Sequence, residues 1–555
     1  MTVIGQKGRT ENVSIEQRIS LMRTRHFING KIFTAESEEH FARGFTVADG
    51  RFVAVHEEDF APTDGAEVID LEGRTVLPGL LDVHTHPAFM SVLAESVAVY
   101  PPNITSITEL IDALRTHPRL GRSRDAWVRG HGFDESKFSE RRKPTAQDLD
   151  KVSQAQPVAI RRCDGHTMVV NSRALAIAGI DAATPDPAGG RIERDGNGDP
   201  TGILVENSAM QLVEAHVPAG EEDPAVQLAG LDEHFLSHGL VGIADLFATF
   251  IDNPLPSYRR AAQRGLSPQV VIYPGWDALK EAAGSDAVAD INDDERLGRM
   301  KIGGVKLFMD GAFSDRNAWN EDPYPGTCSH GGQVATDEDL LEAVAWARHN
   351  EVQVAIHAMG DRALNHVLDL FGDEEPWMGE VPSIRLDHAS LFTPKMIERV
   401  IDARMRFGVI SHTIFFFAEY EAYAANLNRE QFENAYPIRS FYDRVPYTAL
   451  ASDSPATAWA DSDNVFVSIR AAVERRAYDG SDIGQEQAIS VGQAVLLYTS
   501  RASETTRFEG LGSISPGLEA SFVVLDRDIF TVPATEIDSV QVSQTWLAGK
   551  KRYEA

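Results

Sequence analysis

Two histidines one residue apart, His84 and His86, end an apolar run at residues 74–87 (RTVLPGLLDVHTHP). In an extended chain alternate side chains share a face, so both imidazoles can reach one ion from a single strand end. Imidazole nitrogen is a borderline-soft donor suited to Zn2+. Four later apolar runs end in residues that could complete such a site. They are 303–306 with Lys306, 352–357 with His357, 384–388 with His388 and 447–453 with Asp453.

These residue types suit hydrolysis of an amide-like bond, which needs an activated water, a polarised carbonyl and a proton for the leaving amine. A bound Zn2+ serves the first two needs, lowering the pKa of its water to about 7. Asp453 is placed to relay the proton; the alternative is a loop carboxylate that caps a helix. Lys306 cannot ligate as an ammonium. Burial and nearby cations favour its neutral amine, which can add CO2 to become a carbamate, whereas an ordinary salt bridge is the other reading. A single strand-end histidine is more often a hydrogen-bonded structural residue than a ligand; the series argues for ligands.

The elements that must position these groups follow from the spacing. Further apolar runs at 242–246, 269–273 and 408–411 bring the number of expected strands to eight, most of them separated by helix-like segments such as 337–348 and 360–370. This alternation predicts an α/β fold, a (β/α)8 TIM-like barrel whose strand ends converge on one mouth.

The order His-x-His, Lys, His, His, Asp resembles the amidohydrolase superfamily of metal-dependent hydrolases, in particular the branch containing the N-substituted formamide deformylases. The phrases that carry the resemblance are GVKLFMDGAFSDRNA (304–318), AIHAMGDRA (355–363), RLDHAS (385–390) and SDSP (452–455). The resemblance implies two Zn2+ per chain, with His84 and His86 on one, His357 and His388 on the other, and carboxylated Lys306 between them. It also implies a composite β-sandwich built from both ends of the chain, residues 20–76 and 508–555, beside a barrel at 77–507. Ring deaminases of the superfamily place a glutamate three residues after the fifth-strand histidine; here that residue is Gly360.

About 150 residues separate the first two barrel runs, against about 2–6 in an ordinary strand–helix connection, so a β-rich subdomain is expected at about 120–220. It ends in a glycine-rich hairpin-like stretch at 189–198 and is placed to cover the mouth. Its His131, Asp134 and His166 are candidate substrate contacts. So are Asp310 just beyond Lys306, His412 after the seventh run, and Phe415, the first of several aromatic residues that could line the mouth or pack in the core.

The chain has 555 residues and 43% hydrophobic content, enough for a large core with accessory domains. Its net charge of −31 argues against nucleic acid or an anionic membrane as partner. Two cysteines, Cys163 and Cys328, make no disulfide framework, and no run approaches a membrane span, so a cytoplasmic protein is expected. The expected partner is a small-molecule amide, with a homodimer allowed. A linear formamide, a cyclic amide, a lactone or ester, and a catalytically silent binding barrel remain as functional readings.

Overall fold

The computed structural model describes residues 24–163, 165, 167–187, 190–218 and 223–555. Its centre is a set of parallel strands: β1 (Leu80–Thr85), β2 (Leu240–Leu246), β3 (Gln269–Tyr273), β4 (Met300–Ile302), β5 (Gly304–Phe308), β6 (Gln353–Ala358), β7 (Ile384–His388), β8 (Phe407–Ser411) and β9 (Thr448–Leu450). They form two sheets, ordered β4-β3-β2-β1 and β5-β6-β7-β8-β9. Nearly every residue on them is buried, as the continuous apolar runs require when both faces are covered.

The fourth expected strand is split at Gly303. Its backbone N–H donates to Ile272 at 2.9 Å, and Lys306 N–H donates to Pro274 at 2.9 Å, so the chain passes from one sheet to the other beside β3. A Cβ on Gly303 would lie 2.1 Å from Val271, and one on Gly304 would lie 2.2 Å from the Gln353 carbonyl. Only glycine permits that approach. At the other edges Asp453 N–H donates to the His84 carbonyl and His86 N–H to that of Ser454, each at 2.8 Å.

Strand alternation divides the core. Val305, Val354, Leu386 and Val409 pack outward into the large cluster shared with the helices. Leu81, Val83, Val271, Ala355, Ile410, Ala449 and Ala451 form a separate inner cluster. Continuing the inner parity brings Lys306, His357, Asp387, His412 and Asp453 to one end. The helices between strands are amphipathic. Asp337–His349 opens with a capping box between Thr336 and Asp339, and Asp361–Phe371 turns Ala363, Leu364, Val367, Leu368 and Phe371 inward.

The strands near the two ends of the chain share one sheet, ordered Lys550–Glu554, Val542–Leu547, Phe522–Leu525, Thr75–Pro78, Lys31–Phe33 and Phe41–Ala42. Phe27, Phe45, Phe52, Phe522 and Trp546 pack between this sheet and a second one of Arg51–His56, Gly44–Ala48, Arg25–Ile28 and Glu67–Asp70. Asn29-Gly30, which reads as a hairpin turn in sequence, instead carries the chain from one of these sheets to the other. Arg25–Ile28 and Lys31–Phe33 do not pair.

The segment between β1 and β2 holds a six-stranded sheet ordered Arg191–Arg194, Pro200–Val205, Thr167–Val170, Val158–Arg162, Val128–Phe133 and Val97–Ala98. It therefore begins earlier than the expected boundary near 120. Within the glycine-rich stretch and just beyond it, Arg191–Arg194 and Pro200–Val205 pair as a hairpin, with Asp195 N–H bonded to Asp199 at 2.9 Å across its turn. Among the described residues no helix is long and apolar enough to cross a membrane, and Cys163 and Cys328 are not joined in a disulfide.

Candidate active site

The strand ends bring His84, His86, Lys306, His357, His388, His412 and Asp453 into one region. His84 Nε2 and His86 Nε2 meet the same oxygen, Asp453 Oδ1, at 3.1 and 2.8 Å. The other nitrogen of each ring is engaged elsewhere. His86 Nδ1 donates to the Leu246 carbonyl at the end of β2. His84 Nδ1 lies 3.0 Å from Asp387 Oδ2, within charge-pairing distance but out of line for a hydrogen bond. Both rings thus present Nε2 to a common point, the arrangement in which a carboxylate or carbonyl behind an imidazole fixes its metal-facing nitrogen.

The remaining histidines close around this pair. The ring centroids of His357 and His388 are 4.3 Å apart, those of His84 and His388 4.9 Å, and those of His388 and His412 4.4 Å in a stack. His388 Nδ1 and both ring nitrogens of His412 are buried without a hydrogen-bond partner. Burial, followed by the nearby Lys306 charge, holds His357 down at about 3. Burial and the neighbouring histidines hold His388 and His412 well below the usual imidazole range. All three are neutral donors; His388 and His412 carry unsatisfied nitrogens, while His357 Nε2 reaches the Gly311 carbonyl at 3.3 Å, and the set fits a divalent metal on its chemistry.

Asp453 and His388 occupy the left-handed backbone region, at φ 57° and 71°. Non-glycine residues are seldom found there, and such strain gathers at sites where the surrounding structure fixes an unusual direction. By strand parity His388 would follow Leu386 outward; its positive φ turns it to the mouth. Burial raises the Asp453 carboxyl, but the two imidazoles outweigh it and hold the group ionised, well below the usual carboxylate range.

Lys306 is 1% exposed, and its ammonium lies 3.3 Å from Asp387 Oδ2. Burial lowers its pKa, with Asp387 and Asp453 opposing. Asp387 is the residue the sequence reading missed. Its second oxygen pairs with Arg385 at 3.1 Å, and Arg385 donates to the Val83 carbonyl at 2.7 Å. One carboxylate therefore links β1, β5 and β7. Two charged residues at the same parity of an otherwise apolar buried strand were the available signal.

The second-tier residues separate. His412 lies within the histidine cluster, and Phe415 stacks on His388 at 5.6 Å and lies tilted against His412 at 5.2 Å. Phe416, Phe417 and Tyr423 are core residues. Asp310, expected among substrate contacts, is instead bonded to the loop around it. Its oxygens accept the backbone N–H groups of Met359, Gly360 and Trp319 at 3.0, 2.8 and 2.8 Å, and burial pushes its carboxyl up to about 7. Asp134 pairs with Arg162 at 3.2 Å and accepts Ser136 N–H at 2.9 Å, which shapes its loop. His131 faces Tyr100 at 5.5 Å and lines a cavity beside Ser454 and Pro455, where burial holds it down at about 4. His166 lies outside the described residues.

Comparisons with known proteins agree with this geometry. The chain is 29% identical to the N-substituted formamide deformylase of Arthrobacter pascens over 546 residues, covering 96% of this chain and 99% of that one. It is 28% identical to the protein LONG AFTER FAR-RED 3 of Arabidopsis thaliana over 552 residues, covering 95% and 91%. Among solved structures, an uncharacterized metal-dependent hydrolase from Pyrococcus furiosus superposes with a TM-score of 0.68 at 25% identity, covering 92% of this chain and all of that one. Its counterpart from Pyrococcus horikoshii OT3 gives 0.71 at 24% identity, over 92% and 99%. Such neighbours imply an α/β fold typical of TIM-barrel amidohydrolases. The amidohydrolase family model matches residues 67–553, a span that holds every strand and histidine of this centre, and the chain belongs to that family of metal-dependent hydrolases.

Proposed function

We propose that this chain is a zinc-dependent hydrolase of non-peptide C–N bonds, acting on an N-substituted formamide or a related amide. The observation that carries the reading is the convergence of His84 Nε2 and His86 Nε2 on one Asp453 oxygen, with His86 Nδ1 bonded to the Leu246 carbonyl and His84 Nδ1 facing the Asp387 carboxylate. The reading takes the nine strand segments as eight strands closed into a barrel, with a composite β-sandwich from residues 20–76 and 508–555 beside it.

His84, His86, His357 and His388 would hold the metal, and Lys306 as a carbamate would bridge two ions. Zinc bound there supplies a water acidic enough to attack at neutral pH and polarises the substrate carbonyl. Asp387 holds the His84 ring from behind and ties β7 to β1. Asp453 takes a proton from the attacking water and delivers it to the departing amine nitrogen. The burial of the centre excludes bulk water and strengthens each of these interactions. Phe415, packed against His388 and His412, offers an apolar face to an aryl or alkyl substituent on the amide nitrogen. The name of the Arthrobacter relative supports the formamide assignment.

The Lys306–Asp387 pair favours a second reading in which Lys306 stays an ammonium and a single ion is bound. Metal analysis beside formate release from N-benzylformamide tests both. Two zinc ions per chain, lost together with activity in Lys306→Ala, support the bridged site. One ion unaffected by that change supports the single-ion site, and the absence of formate moves the substrate to another amide.

A further inference from the structure

The helix Asp232–Ser237 leads into β2, and His234 and its C-terminal cap His238 stand one turn apart on one face. Their ring centroids are 4.6 Å apart. Asp463, on the segment that follows Asp453 and only 2% exposed, faces both rings. His234 Nε2 lies 2.5 Å from Asp463 Oδ2, and His238 Nδ1 lies 3.9 Å from the same oxygen. One ligand atom from each of the three falls within 4.8 Å of the others.

A plain histidine–aspartate hydrogen bond accounts for His234 and leaves His238 unexplained. Its Nδ1 is buried, has no hydrogen-bond partner and lies near the carboxylate at a distance too long for a hydrogen bond. Two ligands on one tetrahedral zinc, each bonded at about 2.0–2.2 Å, stand roughly 3.3–3.6 Å apart. The 2.5 Å contact must open, and the 3.9 Å one close, by about 1 Å or less to reach that spacing.

We infer that His234, His238 and Asp463 form a second divalent transition-metal site, distinct from the hydrolytic centre, which clips the helix before β2 to the segment after Asp453. Two imidazoles and one carboxylate suit Zn2+ and its first-row neighbours better than Ca2+ or Mg2+. His234 and Asp463 line a cavity of about 390 Å³, shared with His131, Ser454, Trp459 and Asp461, which leaves room for water as a further ligand. The clip joins two segments that frame the hydrolytic centre. One runs on to the Leu246 carbonyl that orients His86, and the other comes from Asp453.

The test uses the full chain, stripped by a chelator, dialysed against micromolar Zn2+ and analysed for metal, with anomalous diffraction at the zinc edge. The expected result is an anomalous peak among the three residues and one zinc ion fewer per chain in His234→Gln/His238→Gln than in the unaltered chain. Asp463→Asn, which preserves shape while removing the anionic ligand, serves if the double variant misfolds and is expected to lose the same ion. Equal zinc counts in the unaltered chain and a folded variant, or no peak among these residues, overturn the site. The count is a difference at these residues, so it does not depend on what the hydrolytic centre holds.

Discussion

The molecule holds the same donor set, two histidines and an aspartate, in two settings. His84, His86 and Asp453 sit at strand ends, backed by Asp387, Lys306 and three further histidines, and their aspartate is strained into a left-handed conformation. His234, His238 and Asp463 join a helix to a loop, the His234 side chain is 36% exposed, and among the described residues no further histidine joins the three. The contrast shows that a donor set says where an ion can sit, while its surroundings decide whether chemistry follows. On the proposed reading the first setting supplies orientation, dryness and a proton acceptor, and the second a fastening.

Exchange of the two aspartates gives the largest expected separation. Asp453→Asn should lower kcat/KM by about 10²- to 10⁴-fold while leaving a folded chain, the usual size of a lost proton relay. Asp463→Asn should leave turnover little changed and remove one bound ion. Parallel kinetics and metal analysis on the two variants check this, and equal losses of activity break the comparison.

A smaller effect sharpens the role of the group behind the ligand. Asp387→Asn should weaken zinc binding by about 10- to 100-fold, the range seen when a partner of a ligating histidine is removed. Competition against a chelating indicator measures it. A variant that binds zinc as tightly as the unaltered chain would reduce Asp387 to a structural ion pair.

The smallest effect belongs to the subdomain between β1 and β2, where the charge of Asp148 serves stability. Asp148 accepts bonds from Arg142 at 2.6 Å, Lys151 at 3.1 Å, and Thr145 N–H and hydroxyl at 3.0 Å each. Burial raises its pKa, but these donors outweigh it and hold the carboxyl well below the usual range. A depressed folded-state pKa stabilises above the unfolded value of about 3.9 and ceases to do so as pH falls through the folded one. Asp148→Asn should therefore destabilise by about 1 kcal/mol at neutral pH, discounted for the exposed Arg142 and Lys151, and by progressively less below about pH 4. Denaturant unfolding at several pH values checks it.

Much of the centre was legible in sequence because it depends on local periodicity. A buried parallel strand reads as an apolar run, and its last polar residue is a candidate for the mouth; this located His84, His86, Lys306, His357, His388 and Asp453. What escaped depends on contacts distant in sequence. Asp387 lay in a quoted phrase without a role, because only folding brings Lys306 and His84 to it. Asp310 read as a substrate contact until three backbone donors accounted for its oxygens. The direction of His388 rests on a positive φ that no periodicity reveals. His234 and His238 show helical spacing, yet their partner Asp463 is far along the chain.

On the proposed mechanism, hydrolysis runs on metal held by His84, His86, His357 and His388. Its most direct test is to strip the protein with a chelator and titrate Zn2+ back while following formate release from N-benzylformamide. The prediction is that activity vanishes in the stripped protein, returns in step with the ions bound, and fails to return in His84→Asn/His86→Asn. A stripped protein that turns over as fast as before, or a double variant restored by zinc, would contradict it.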